Sequence, residues 1–254
     1  MSKTILITGA TSGFGKAIAE KFAYNGWKCI LTGRRKEKLE SLAEMLIKNY
    51  NAEVYLLPFD VRNQKQTFKC INNLPSSWKE INLLINNAGG AIGLDNFADA
   101  EIEDWNTMID TNLKGLLYVT KAVLPNMIPI QNGHIINIGS IAGKDVYENG
   151  NVYCASKHAV DAISKSMRID LLKYRIKVTA IHPGAAQTEF SEVRFKGDKK
   201  KAKSVYEGYT PLFAENIADI IYYCVTLPAH VCINDLVVTS IAQANPFYLK
   251  KNNL

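Results

Sequence analysis

The feature that most constrains this chain is a regular alternation of short apolar runs with longer amphipathic stretches. The runs at 5–7, 28–32, 54–57, 83–85, 134–138 and 177–181 are brief and mostly apolar. They lack the polar alternation of a half-solvated strand, which is the pattern of strands covered on both faces. The stretches at 15–24, 35–50, 102–124 and 151–172 repeat their apolar residues at helical spacing. Such strand-helix alternation predicts an α/β fold: a doubly wound, Rossmann-type parallel sheet with helices on both faces. Ligands bind such sheets beyond the C-terminal ends of the strands.

With 254 residues, 47% of them hydrophobic, there is material for one large core, and no Pro/Gly/Ser-rich linker divides it. We therefore expect one domain over 1–254. Its least patterned part, 185–209, is polar and lysine-rich and follows a strand end, which marks it as a candidate substrate loop. The net charge of +6 is scattered except at Lys199, Lys200, Lys201 and Lys203. No aromatic residues interleave there at stacking spacing, which argues against a nucleic-acid partner. Five cysteines without a CxxC pair fit free thiols in a reducing compartment. No run reaches membrane-spanning length, so the expectation is a cytoplasmic protein with no membrane partner. His134, His158, His182 and His230 share no metal-ligand spacing and are read as structural, with no metal expected.

Directly after the first apolar run comes Thr8-Gly9-Ala10-Thr11-Ser12-Gly13-Phe14-Gly15, and a helical stretch follows. Glycines there permit a tight turn, close approach of the backbone to a pyrophosphate, and close helix-strand packing. The helix N-terminus adds amide donors and partial positive charge. Gly9, Thr11, Ser12, Gly13, Phe14 and Gly15 are thus candidate dinucleotide ligands.

A second constellation carries chemistry. The run 134–138 ends at Gly139-Ser140, and thirteen residues after Ser140 a helical stretch presents Tyr153 and Lys157 at i and i+4. That spacing puts tyrosine and lysine on one face, one turn apart. A nearby ammonium favours the phenolate and is expected to lower the phenol from its usual value of about 10. Tyr153 can then exchange a proton near neutral pH, the Ser140 hydroxyl can hydrogen-bond a substrate oxygen, and, were the dinucleotide a nicotinamide one, Lys157 can also hold its ribose. Cys154, about 100° away around the helix, is expected to pack.

The spacing T-G-x-x-x-G-x-G, the segment Asn86-Asn87-Ala88-Gly89 and the Ser140, Tyr153, Lys157 set together resemble the short-chain dehydrogenase/reductase family, whose landmarks occur here in order over nearly the whole chain. In that family an acidic residue ends the second strand where NAD is preferred. Here the strand ends Thr32-Gly33-Arg34-Arg35, so the resemblance implies NADP, with Arg34 binding the 2′-phosphate and Arg35 assisting. It further implies that Asp60 and Val61 hold the adenine and that Asn87, Ala88 and Gly89 border the ribose. Asn112 would complete a catalytic tetrad by holding a relay water. Pro183 and Gly184 would form a turn beside the cofactor, and Thr188 would contact the nicotinamide carboxamide.

Within the family, 188–198 and 226–234 are similar to NADP-dependent serine/3-hydroxy acid dehydrogenases. That subgroup oxidises L-serine and related 3-hydroxy acids and reduces malonic semialdehyde. It implies a small hydroxy acid or its carbonyl product as substrate, and a homotetramer assembled through 102–124 and 151–172. A carboxylate substrate needs a partner, and Arg194 is the candidate, with Lys196 as a second cation. Two other readings predict different features. A broad carbonyl or 3-ketoacyl reductase calls for an apolar substrate loop, whereas this one is charged. A non-catalytic NADP(H)-binding sensor would have lost Ser140, Tyr153 or Lys157, and all are present. The segment 141–145 is more charged than a small-substrate pocket predicts, and 245–254 gives no family match.

Overall fold

The structure is a computed structural model that describes residues 3–251. Its elements are β1 (Thr4–Ile7), α1 (Gly13–Tyr24), β2 (Lys28–Gly33), α2 (Lys36–Tyr50), β3 (Val54–Pro58), α3 (Gln64–Asn72), β4 (Leu83–Asn86), α4 (Ile102–Ile109), α5 (Leu116–Met127), β5 (His134–Ile138), α6 (Asn151–Asp170), β6 (Lys177–Pro183), β7 (Ala186–Gln187), α7 (Phe190–Arg194), α8 (Lys199–Ser204), β8 (Leu212–Phe213), α9 (Ala214–Thr226) and β9 (Asp235–Val238). Seven strands form one parallel sheet in the order β3-β2-β1-β4-β5-β6-β9. The strand order reverses between β1 and β4, where a doubly wound sheet opens its ligand crevice.

Alternation within each strand feeds two cores. Ile5 and Ile7 of β1 face one side, with Ile18 and Phe22 of α1, Leu31, and Ile217 and Ile221 of α9. Leu6 faces the other, with Ile30, Leu84, Val119 and Val123 of α5, Ile135 and Val178. Each fully buried Ile or Leu contributes roughly 1.5–3 kcal/mol of transfer free energy. Shifting a strand by one residue would therefore exchange the two cores' contents at large cost. A buried polar chain crosses the sheet's centre. Asn86 Nδ2 donates to Asn137 Oδ1 at 2.9 Å and to Thr120 Oγ1 at 2.8 Å, and Asn137 Nδ2 donates to Ser164 Oγ at 2.9 Å. These bonds tie β4, β5, α5 and α6 in one register.

Six sequence-predicted strands are present, and a seventh, β9, lies beyond them on the edge beside β6. Its pattern is half-exposed, with Asp235 and Val237 toward solvent, although the short apolar run Leu236-Val237-Val238 marks it in the sequence. The helix expected over 102–124 is interrupted: a π-helical turn spans Asp110–Gly115 between α4 and α5. The lysine-rich segment, expected as loop, contains α7 and α8, the latter started by Asp198, whose side chain accepts from the Lys201 amide at 3.0 Å. Among the described residues no helix is long and apolar enough to cross a membrane.

Candidate active site

The turn after β1 is shaped by glycines that no other residue replaces easily. Gly9 and Gly13 have φ of +67° and +51°. At Gly15 an added Cβ would come within 2.3 Å of the Gly9 carbonyl oxygen, so α1 approaches the turn only because that position is bare. Ser12 at the N-cap makes no side-chain capping bond, which leaves the first amides of α1 directed at the cleft. Thr8, not singled out as a ligand from sequence, is the brace: its Oγ1 accepts from the Asn87 and Ala88 amides, both at 2.9 Å, and Asn87 Nδ2 returns a bond to the Thr8 carbonyl at 2.9 Å.

A cavity of about 670 Å³ runs from this turn along the C-terminal ends of the strands. Every sequence-predicted site residue lines it except Gly15, Asn112 and Lys196. Gly15 acts by its bareness. Asn112 sits in the π-helical turn, 2% exposed, and clamps the neighbouring loop: Oδ1 accepts from the Gly90 amide at 2.8 Å, and Nδ2 donates to the Gly90 carbonyl at 2.9 Å and to Ser156 Oγ at 3.0 Å.

At the end of the cavity beside β2, Arg35 is the more firmly placed arginine. Its guanidinium donates to Thr11 Oγ1 at 2.7 Å and Ser12 Oγ at 2.9 Å, and pairs with Glu189 Oε2 at 2.8 Å. Lys38 reaches the other Glu189 oxygen at 2.9 Å. Although burial pushes Glu189 upward, these two cations hold it down at about 2. Arg34 lines the same end. The Asp60 carboxylate is taken by Arg62 at 2.7 Å, and this pairing outweighs its burial and keeps it below the usual carboxylate range.

At the reacting end, Ser140, Tyr153 and Lys157 converge. Tyr153 and Lys157 are 7% and 6% exposed. Lys157 Nζ lies 6.0 Å from the Tyr153 ring centre and donates to the Ile138 carbonyl at 2.9 Å. The sequence-based expectation of a lowered phenol is corrected here. Burial pushes the Tyr153 phenol well above its ordinary value, Tyr147 adds to this, and Ser140 and Arg194 oppose it only in part. Lys157 is itself pushed down to about 8 by burial, which disfavours its ammonium form. Cys154 packs as expected, buried with Ala91, Met108 and Ala142.

Facing Tyr153 is Arg194, from α7. Its guanidinium carbon stands 5.7 Å from the Tyr153 ring centre and 5.4 Å from that of Tyr147. Nε donates to the Gly93 carbonyl at 3.3 Å, while Nη2 is buried without a partner. Lys196 does not join it: its ammonium pairs with Asp104 at 2.7 Å outside the cavity lining, which corrects its expected role as a second cation. Tyr147, Glu189 and Gln243 also line the cavity and were not found from sequence. Each belongs to no motif of fixed spacing, and Gln243 reaches the site from beyond β9, accepting from the Ala185 amide at 2.8 Å.

Comparison with known proteins agrees with this geometry. The family model described as short chain dehydrogenase matches residues 3–199. The chain belongs to the short-chain dehydrogenase family. This dehydrogenase is 48% identical over 241 residues to an NADP-dependent 3-hydroxy acid dehydrogenase of Salmonella typhi, a match that covers 94% of this chain and 96% of the relative. It is 46% identical over 245 residues to sulfoacetaldehyde reductase 2 of Chromohalobacter salexigens, covering 96% of each. Among solved structures, the closed form of serine dehydrogenase complexed with NADP+ superposes with a TM-score of 0.91 at 43% identity, covering 99% of this chain and all of that one.

Proposed function

We propose that this dehydrogenase moves a hydride between NADP(H) and the hydroxyl-bearing carbon of a small 3-hydroxy acid such as L-serine or 3-hydroxypropionate, and in reverse reduces malonic semialdehyde. The observation that carries the reading is Arg194: a half-buried side chain whose Nη2 is buried and unpartnered, its guanidinium carbon 5.7 Å from the Tyr153 ring centre, lining the cavity that Ser140 and Lys157 also line. A cation with a buried, free donor calls for an anion, and a carboxylate meets a guanidinium in two parallel bonds.

The cavity fits the cofactor on grounds internal to the chain. The turn has room only for bare glycines at 9 and 15, the N-terminus of α1 opens onto it, and Arg34 and Arg35 line the cavity with donors suited to a 2′-phosphate. Gly9, Thr11, Ser12, Gly13 and Phe14 would hold the pyrophosphate. Arg34 and Arg35 would hold the 2′-phosphate, Asp60 and Val61 the adenine, Asn87 to Gly89 the ribose, and Pro183, Gly184 and Thr188 the nicotinamide. When bound, NADP(H) supplies the hydride or accepts it. For reduction, Tyr153 donates its proton to the substrate oxygen, which Ser140 orients by a hydrogen bond. A phenol pushed upward by burial carries that proton throughout the neutral range, which suits this direction. Lys157 holds positive charge beside the phenol below its value of about 8, and Asn112 keeps the Gly90 loop in place behind it.

The same reading takes the chain as one catalytic domain with 185–209 as the substrate loop, working in the cytoplasm as a homotetramer. A broad 3-ketoacyl reductase has no use for a cation with a buried, unpartnered donor beside the reacting tyrosine. Production of NADPH, followed by its absorbance with L-serine, 3-hydroxypropionate, a 2-hydroxyethyl sulfonate and a 3-hydroxyacyl thioester, tests the assignment. We expect turnover of the small anionic alcohols. Turnover confined to the thioester would overturn it.

A further inference from the structure

Beneath the turn that carries Ser140 lies a charged cluster that the chemistry above leaves unused. His182, in β6, has a side chain with no exposed surface. Its Nδ1 is 3.2 Å from the Ser140 carbonyl oxygen. The ring fills the space over Gly139, where an added Cβ would meet Nδ1 at 2.5 Å. On its far side, Nε2 lies 3.6 Å from both Asp161 Oδ1 in α6 and Asp235 Oδ2 in β9, and makes no hydrogen bond. Lys144 Nζ bridges those two carboxylates at 2.9 and 2.7 Å, and Lys165 donates to the other Asp161 oxygen at 2.7 Å.

The cluster joins parts of the chain that must agree for the reaction. Lys144 ends the short turn that begins at Ser140, and Asp161 lies on the helix that carries Tyr153. The Ser140 carbonyl also accepts from the Gly143 amide at 2.8 Å within its own turn, but among the described residues His182 is the one that both touches the Ser140 backbone and faces both carboxylates. We propose that His182 is a positioning residue: it grips the Ser140 carbonyl and, backed by Lys144, Asp161 and Asp235, fixes the Ser140 hydroxyl relative to Tyr153. This rests on the reading that Ser140 orients the substrate oxygen.

Imidazole chemistry defines how the grip works. A neutral ring has one N–H. With the proton on Nδ1 it donates to the Ser140 carbonyl, and Nε2 turns a lone pair toward carboxylates whose charge Lys144 and Lys165 offset. Burial, with Lys144 adding to it, keeps His182 below the usual histidine value against the pull of Asp235, the Ser140 carbonyl and Asp161, so the neutral ring is the working form. The donor that matters is therefore at the Nδ1 position.

Two replacements separate that donor from mere volume. His182→Asn keeps an N–H at the Nδ1 position, and His182→Gln moves it to the Nε2 position. In His182→Gln, kcat should fall about tenfold, the loss of one positioning hydrogen bond. KM for the hydroxy acid and the affinity for NADPH should stay within about twofold. His182→Asn should recover most of the lost kcat. Equal kcat in the two variants, whether both normal or both reduced, would overturn the proposal, as would loss of NADPH affinity or thermal stability in proportion to kcat. Ser140→Ala, measured alongside, keeps the two readings apart. Wild-type turnover in Ser140→Ala refutes the role of Ser140 itself, while a crippled Ser140→Ala beside a fully active His182→Gln refutes only His182.

Discussion

At the scale of single residues the site is governed by desolvation. Tyr153 and Lys157 are both buried, and burial drives each toward its neutral form, the phenol upward and the ammonium down to about 8. Oxidation of an alcohol needs the phenolate, so its kcat/KM should climb as pH rises from neutral into the alkaline range. Reduction needs the phenol and should stay flat through neutrality. An oxidation profile that does not vary between about pH 6 and 9 would contradict this. Tyr153→Phe should lower kcat by roughly two to four orders of magnitude and leave NADPH affinity, read by fluorescence titration, near that of wild type. Arg194 answers a different question. Arg194→Ala should raise KM for a hydroxy acid roughly tenfold to a hundredfold while an uncharged alcohol of the same size loses little. Equal losses on both substrates would mean that Arg194 only braces Gly93.

Secondary-structure elements set where those residues stand, and here the sequence was informative to different degrees. Buried parallel strands announce themselves as apolar runs, which is why β1 to β6 and the turn after β1 were legible. β9 was less legible: its run, Leu236-Val237-Val238, is as long as that of β1, but the strand alternates exposed with half-buried residues and carries no motif of its own. The π-helical turn at Asp110–Gly115 was invisible, since its cause lies in another segment: Asn112 is held by both backbone groups of Gly90. Tyr147, Glu189 and Gln243 reach the cavity from separate elements, so no spacing could collect them. One buried histidine gives an element-scale prediction. His134 opens β5 with Nε2 2.8 Å from Thr179 Oγ1, and burial, with Lys177 adding to it, pushes it down to about 3. The unfolded chain takes up a proton near pH 6.5 that the folded chain refuses until about 3, so stability falls as pH drops through that window. In urea melts, His134→Gln should lose stability less steeply, by up to about 1.4 kcal/mol per pH unit. Parallel slopes would exclude the assignment.

Over the whole molecule, the cleft is closed by contacts between distant parts of the chain. Glu189, just before α7, is held by Arg35 and Lys38 at the start of α2, and thereby ties the segment after β6 to the β2 side of the cavity. Glu189→Gln should free 185–209, seen as several-fold faster tryptic cleavage in the lysine-rich stretch, with little change in the midpoint of thermal unfolding. Unaltered cleavage would show that α7 is held by its own packing alone. The far end of the chain closes the other side: Gln243 accepts from the Ala185 amide and fills the space over Gly184, and Pro246 and Leu249 complete the wall. A nascent chain therefore presents its glycine turn and Tyr153 well before it owns a finished cavity. Gln243, Pro246 and Leu249 follow every other lining residue in sequence, so the wall that retains a cofactor is complete only once they have been made and have docked, and tethering them elsewhere should leave a folded protein with a gap in its wall.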